Sequence, residues 1–333
     1  MRIAINGYGR IGRNIVRAIF ENGRDTAIEI VAINDLTPPE VSAHLTQFDT
    51  THGRFAAKVG FDDKHLYINQ QAIKWYQHTK PDEIPWAELN VDIVLECSGK
   101  FKTHGAIEPH LQAGAPRVLA SHPVADADYT VVYGVNHAGL TAQHRVVSNA
   151  SCTTNCLAPV AKVLHEAIGI ENAYMTTIHA YTNDQNLIDK AHSDLYRARA
   201  AAMSMIPTHT GAAAAVGKVL PELAGKIDGL AVRVPTINVS LVDLVVNTSR
   251  STSAEEINQL MLKASQTLPA GVLACNDLPL VSSDFNHHPA SSIFDLTQTK
   301  ANGTMAKVMA WYDNEWGFSN RMLDVAELMV SAN

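Results

Sequence analysis

The sequence predicts a two-part α/β protein: a parallel sheet covered by helices on both faces, then an α+β part built on a mostly antiparallel sheet. Three observations carry this. In the first third, short continuous apolar runs alternate with helical patterns, as strands buried on both faces require. After Ser148 the strand candidates lengthen and alternate with a two-residue period, as a sheet with one buried face requires. The chain has 333 residues, 46% of them hydrophobic, which suits two domains better than one.

The elements follow in order. "RIAIN" (Arg2–Asn6) reads as a buried strand. "GRNIVRAIFENG" reads as an amphipathic helix with Ile15, Ala18 and Ile19 on one face and Gly23 as its stop. "IEIVAIN", "VDIVLEC", "RVLAS" and "TVVYGVN" are further strand candidates. A helix is expected to begin near Cys152 and run through "LAPVAKVLHEAIG". "AYMTTIHAYT", "LAVRVPTINVSLVDLVVNTS", "LPLVSSDF" and "AKVMAWYD" read as the second sheet. Ser253–Gln266 opens on a capping box, a serine followed three residues later by Glu256. "NRMLDVAELMVSAN" closes the chain as a helix.

Composition narrows the partners. A net charge of −7 argues against a nucleic-acid or anionic-membrane surface. No apolar run reaches the roughly 20 residues of a membrane span. "MRIAINGYGR" lacks the layout of a secretory signal, and four cysteines without one suggest reduced thiols in the cytoplasm. Cys152 and Cys156 are spaced C-x-x-x-C with no second pair, so no metal site is expected.

Gly7-Tyr8-Gly9-Arg10-Ile11-Gly12 is a G-x-G-x-x-G that follows a strand, opens a helix and leads to a second strand ending in Asp35. In that context the first glycine makes the tight turn, the second admits a pyrophosphate, and the third packs helix on strand. The helix N-terminus then faces the phosphates. Asp35 follows Gly12 by about 20 residues, where a carboxylate accepts from a ribose 2′-hydroxyl and repels a 2′-phosphate. This predicts a Rossmann-type domain that prefers NAD to NADP.

"SNASCTTNCLAPV" sets Cys152 among small polar residues at an expected helix start. Main-chain N–H groups there favour a thiolate and can hold an oxyanion. A thiolate nucleophile needs an imidazole, and His179 in "TTIHAYT" is the candidate. With fifteen histidines the sequence does not choose, and His192, His287 and His288 compete. Cys97, Cys156 and Cys275 read as structural.

These stretches, together with "AINDLT", "YGVNH", "TTIHAYTNDQN", "RARAAA", "IPTHTGAAAAVGKVLPELAGK" and "WYDNEWGFSNRMLD", resemble the phosphorylating glyceraldehyde-3-phosphate dehydrogenases over essentially the full length. The resemblance implies an NAD-binding domain over residues 1–150, completed by a C-terminal helix over 316–333, and a catalytic domain over 151–315. It implies that Cys152 attacks the aldehyde of glyceraldehyde 3-phosphate and that His179 takes the hydroxyl proton as hydride leaves. Inorganic phosphate then releases the thioester as an acyl phosphate. Thr182 and Arg233 match the substrate-phosphate site, and Ser151, Thr153, Arg197, Thr210 and Gly211 the attacking-phosphate site. Gly7, Gly9, Arg10, Ile11, Gly12, Asp35, Ser121 and Asn314 match cofactor positions, with the Asn314 amide on the nicotinamide carboxamide. A homotetramer is implied, in which the irregular segment 183–203 reaches a neighbouring subunit.

Some positions depart from that pattern. Lys190-Ala191 stands where strictly NAD-dependent members often carry Leu-Pro, which suggests minor NADP use. His209 replaces a small residue beside Thr210, and Phe318 stands where tyrosine is frequent. "ASHP", "DFNHHP" and "LTQTK" resemble the sister erythrose-4-phosphate dehydrogenases, but Thr182, Thr210 and Gly211 favour the phosphate-dependent reaction. A non-catalytic binding protein on this scaffold would be expected to lose the nucleophile, the base or the arginines, and all are present.

Overall fold

The computed structural model describes residues 1–332. The chain forms two compact units. One comprises Met1–Val131, His137–Ser151 and the chain from Ser319 onward; the other comprises Val132–Asn136 and Cys152–Phe318.

The first unit is built on a nine-stranded sheet. Its centre pairs Arg2–Asn6 in parallel with Glu29–Asn34 on one side and Ile93–Glu96 on the other. Val118–Ala120, Val146–Ser148 and Tyr129–Thr130 continue it in parallel. Past Glu29–Asn34 come Gln71–Tyr76, also parallel, and then the antiparallel His65–Ile68 and Val59–Phe61. Gln71–Tyr76 alternates buried and exposed side chains, and His65–Ile68 and Val59–Phe61 are short, so continuous apolar runs do not reveal them.

The helix Arg10–Glu21 buries Ile15, Ala18 and Ile19 completely, and Gly23 takes φ +66° just past its end, as a chain reversal there needs. Arg17 is buried on the same helix, where it donates to the carbonyls of His52 and Gly53 and stacks over Phe55. The helix Trp316–Ser331 belongs to this unit from Ser319 on, and Asp324 accepts from Arg24 at 2.8 Å.

The second unit holds an eight-stranded sheet. Ile170–Ala180 lies beside Ile227–Val234 in parallel and beside Ser240–Thr248 antiparallel. Met305–Tyr312 pairs antiparallel with Ser240–Thr248 and with Ser292–Asp295, and Ile206–His209 edges the sheet antiparallel to Ile227–Val234. The helix Cys152–Ile168 packs on this sheet and ends at Gly169, φ +73°. Ser253 caps Ala254–Thr267 by accepting from the Glu256 N–H at 3.1 Å. The Glu256 carboxylate does not reach back as a capping box would, because it is bound by Arg250 and Thr252.

Two strand expectations fail. "TVVYGVN" is extended only at its first residue. Asn136 Oδ1 accepts the Val132 N–H at 2.8 Å, closing a turn through Gly134 (φ +82°), and a local side-chain bond outcompetes the ladder. "LPLVSSDF" is a bend followed by a 3₁₀ turn, Ser282–Phe285, in which Asp284 accepts the Val281 N–H. Leu278 and Val281 are exposed there, and the strand is Leu273–Asn276 instead.

Candidate active site

In the first unit the site is made mainly of backbone. The strand Arg2–Asn6 passes through Gly7, φ +93°, into the helix that starts at Arg10. A Cβ on Gly7 would lie 2.4 Å from the Ser98 nitrogen, and one on Gly12 would lie 2.4 Å from the Gly7 oxygen, so neither position admits a side chain. Gly9 differs: nothing lies within 4 Å of where its Cβ would be, and it faces a cavity of about 280 Å³. That open position at a helix start fits the approach of a pyrophosphate.

Asp35 lines the same cavity, with Oδ2 accepting from the Tyr8 N–H at 2.6 Å and Oδ1 from the Thr37 N–H at 2.8 Å. The carboxylate therefore holds the glycine turn as well as facing the space a ribose would take. The Arg10 guanidinium is bound by Asp49, which leaves its main chain at the helix start. Ile11 is half-buried in that helix. Ser121 donates its N–H to Glu96 O, and its hydroxyl bonds Cys97. Lys80 and Lys100 stand on the cavity wall.

In the second unit the site is made of side chains. Cys152 is the first residue of its helix, and His179 lies near the end of the strand Ile170–Ala180. Cys152 Sγ lies 3.6 Å from His179 Nε2. The parallel register pairs His179 with Arg233, so the ring and the guanidinium are neighbours by backbone geometry. His179 Nδ1 faces two groups with opposite demands: the Ala180 carbonyl oxygen at 2.6 Å, which can only accept, and the Arg233 guanidinium, which can only donate. Arg233 Nη1 donates to the same oxygen at 3.0 Å and lies 2.9 Å from Nδ1. With the ring proton on Nδ1, as the shorter contact to Ala180 requires, Nε2 is the acceptor facing sulfur. Burial first, then the charges of Arg233 and Arg197, push the His179 pKa down to about 3, so the ring is neutral near pH 7.

The pull toward thiolate expected from the helix start is opposed by burial. Burial, the largest effect, pushes the Cys152 thiol up; the Arg233 charge, the Thr153 hydroxyl and the N–H groups of Thr153 and Cys152 pull it down without prevailing. Cys156, one turn on, is fully buried against Ser292 and the Ala310 carbonyl.

The other expected residues fall into two groups. Thr153 is buried, with Oγ1 2.9 Å from the Tyr312 hydroxyl, and Ser151 precedes the helix half-buried. Arg197 donates to Thr208 Oγ1 at 3.0 Å and to His209 O at 3.2 Å, which sets it beside Thr210 and Gly211. Thr210 Oγ1 accepts the Ala212 N–H at 3.2 Å, and Gly211 caps that short helix. Thr182 is half-buried two residues past the His179 strand. Asn314 Oδ1 accepts the Ser240 hydroxyl at 2.9 Å, which leaves the amide nitrogen as the donor for other groups. The competing histidines bond other groups than Cys152: His192 contacts Asp184 and Asp194, His287 stacks on Trp316 at 3.6 Å, and His288 accepts the Ala290 N–H at 3.2 Å.

A family model for the glyceraldehyde-3-phosphate dehydrogenase NAD binding domain matches residues 1–104, and one for the C-terminal domain matches residues 151–314. Among similar curated proteins, the glyceraldehyde-3-phosphate dehydrogenase of Pseudomonas aeruginosa is 59% identical over 100% of this chain and 99% of its own length. The chromosomal enzyme of Cupriavidus necator is 57% identical over 100% and 99%, and that of Xanthobacter flavus 59% over 99% and 98%. The chain belongs to the glyceraldehyde-3-phosphate dehydrogenase family. It is an NAD-dependent phosphorylating oxidoreductase acting on glyceraldehyde 3-phosphate, with the parallel-sheet unit as its NAD-binding part.

Three residues of this dehydrogenase's site escape sequence reading. Tyr312 is 1% exposed, its hydroxyl bonds Thr153 and, at 2.8 Å, Thr177, and its ring meets His179 edge-on. Ser240 ties Asn314 to the Ala180 N–H. Asp184 binds Arg197. Tyr312 and Ser240 sit opposite one another in strand register, a fact that becomes visible only once the strands are paired.

Proposed function

We propose that Cys152 is the nucleophile and His179 the base of this oxidation. The carrying observation is an imidazole nitrogen 3.6 Å from the Cys152 sulfur, on a ring held by the Ala180 carbonyl to which Arg233 also donates. The Sγ proton passes to Nε2 as sulfur adds to the aldehyde carbon, and returns to the new oxygen to give a thiohemiacetal. The Thr153 and Cys152 N–H groups point at the sulfur and sit where that oxygen's charge develops. Nε2 then takes the hydroxyl proton as the C–H hydride departs, leaving a thioester on Cys152. Bound NAD supplies the hydride acceptor. An oxygen of inorganic phosphate attacks the thioester carbon, sulfur leaves and regains its proton from Nε2–H, and the phosphate's own proton goes to solvent.

Arg233 and Thr182 would hold the substrate phosphate; Arg197, Thr210, Gly211, Ser151 and Thr153 would hold the attacking one. Among the described residues, Arg233 Nε is buried with no hydrogen-bond partner, which suits an anion arriving from outside. Asn314 would donate to the nicotinamide carboxamide. Gly7, Gly9, Arg10, Ile11, Gly12, Asp35 and Ser121 would form the dinucleotide cradle. The dinucleotide-binding domain is taken as residues 1–150 with 316–333.

Omitting phosphate tests the scheme: NADH should form to about one equivalent per Cys152 and then nearly stop. Steady turnover of glyceraldehyde 3-phosphate without phosphate would refute it. Erythrose 4-phosphate in the same assay separates the sister activity.

A homotetramer is supported by Leu187, Ile188, Leu195, Tyr196, Met203 and Met205, apolar side chains 61–85% exposed along one irregular segment. A cytoplasmic location is supported by four free cysteines. No helix among the described residues is long and apolar enough to cross a membrane. Minor NADP use is supported by Lys80 on the cavity wall and by the exposed Lys190.

A further inference from the structure

The two arginines assigned to anions are held differently. Arg233 hydrogen-bonds only neutral partners, the Ala180 carbonyl and the His179 ring, and feels the Asp184 charge only as a minor, unbonded influence. Arg197 is surrounded by acceptors on every edge: Thr208 Oγ1 and Asp194 Oδ2 on Nε, the His209 carbonyl on Nη2, and Asp184 Oδ2 on Nη1. Three of its five N–H groups are used in this way and its charge is shared with Asp184, so an incoming anion meets a partly neutralised guanidinium.

The partners differ in how firmly they are fixed. Thr208 is buried and bonded to Asp194, whose side chain is 14% exposed. The His209 carbonyl belongs to the edge strand. Asp184 is the exception: its side chain is 50% exposed, it lies in the irregular segment, and beyond Arg197 it has the His192 ring at 3.6 Å and a weaker pull on Arg233. It also carries the same charge as the incoming ligand.

We infer that Asp184 competes with inorganic phosphate for Arg197 and so sets the affinity of the attacking-phosphate site. Arg233 is left as the stronger anion site. The inference rests on the reading of Arg197 given above. Its physical consequence is ordering. A monoester such as glyceraldehyde 3-phosphate finds a free cation at Arg233 and a masked one at Arg197. Its phosphate is therefore directed away from the place where the second anion must bind. Asp184 acts through Arg197 and is a positioning residue.

The test is Asp184→Asn, which keeps an oxygen for the Arg197 bond and removes the charge. The KM for inorganic phosphate should fall about two- to fivefold, the size of effect a half-exposed ion pair supports, while the KM for glyceraldehyde 3-phosphate falls less, Asp184 having no bond to Arg233, and that for NAD stays unchanged. A KM for phosphate that is unchanged or raised in Asp184→Asn overturns the inference, since Asp184 would then merely orient the guanidinium. Arg197→Ala serves as the separate control. If it leaves the phosphate KM unaltered, the placement of phosphate at Arg197 fails whatever Asp184 does. Circular dichroism of both variants guards against a folding artefact.

Discussion

Gly7, Gly9 and Gly12 in the first unit accomplish with main chain what Cys152, His179 and Arg233 in the second accomplish with side chains. The glycine turn works because atoms are missing from it, and its nearest carboxylate, Asp35, serves partly to pin the turn through the Tyr8 N–H. The thiol–imidazole–guanidinium group works because three side chains from one helix and two strands are brought into line by sheet register. A site of the first kind is broken by adding a methyl group. A site of the second kind is broken by removing a proton acceptor or a tether.

The sharpest way to break the comparison lies within the glycine turn. Gly7→Ala places Cβ against the Ser98 main chain at a φ of +93°. A left-handed side chain costs about 1–2 kcal/mol and an overpacked one about 1–3, so roughly 2–5 kcal/mol of stability should be lost in urea unfolding. Gly9→Ala meets nothing within 4 Å and has an allowed φ of −77°. Its stability should hold within about 1 kcal/mol, while NAD affinity by calorimetry falls about tenfold or more, because the methyl group fills the approach space. Equal stability losses in the two variants would mean that the second glycine is structural after all.

The contrast also explains what could be read from sequence. A glycine turn is local: strand, turn, helix and Asp35 all lie within one βαβ unit, so spacing alone is informative. Cys152 is equally local, since its small neighbours and the following helical run mark it. His179 is not, because fifteen histidines look alike until strand pairing sets one beside Arg233. Tyr312 and Ser240 come from register in the same way, and Asp184 from the path of an irregular segment. "TVVYGVN" misled for the opposite reason. Its apolar pattern is real, yet one Asn136 bond to the Val132 N–H overrides it, and hydropathy does not register such bonds.

A pH titration of stability sharpens the second half of the comparison. In the folded chain the His179 pKa is about 3, against an ordinary 6.5. Below pH 6.5 the unfolded chain binds a proton that the folded ring refuses, so this residue's stabilising share is complete above pH 6.5. It is lost progressively as pH falls toward 3. At about 1.4 kcal/mol per pH unit, the loss between pH 7 and 4.5 should be roughly 2–3 kcal/mol. His179→Asn should flatten the acid limb of the urea-unfolding free energy by that amount relative to the parent. Parallel limbs would show that the ring is not held neutral by its surroundings.

The smallest expected effect concerns a tether. Ser240 is 1% exposed; its oxygen accepts the Ala180 N–H at 3.1 Å and its proton goes to Asn314 Oδ1 at 2.9 Å. That proton decides which end of the Asn314 amide is left for other groups, because an amide without it can turn over with little cost. Ser240→Ala should therefore let the donor and acceptor ends exchange. One neutral hydrogen bond is worth about 1 kcal/mol, which predicts a rise of about fivefold in the KM for NAD. The KM for phosphate should not move, since Arg197 shares no bond with Ser240. Ala180 also holds the His179 ring through its carbonyl, so a modest fall in kcat should accompany the change, and Asn314→Ala should add little in the Ser240→Ala background. If Ser240→Ala leaves the NAD KM at the parent value, the amide is oriented by something other than this hydroxyl, and the tether has no part in cofactor binding.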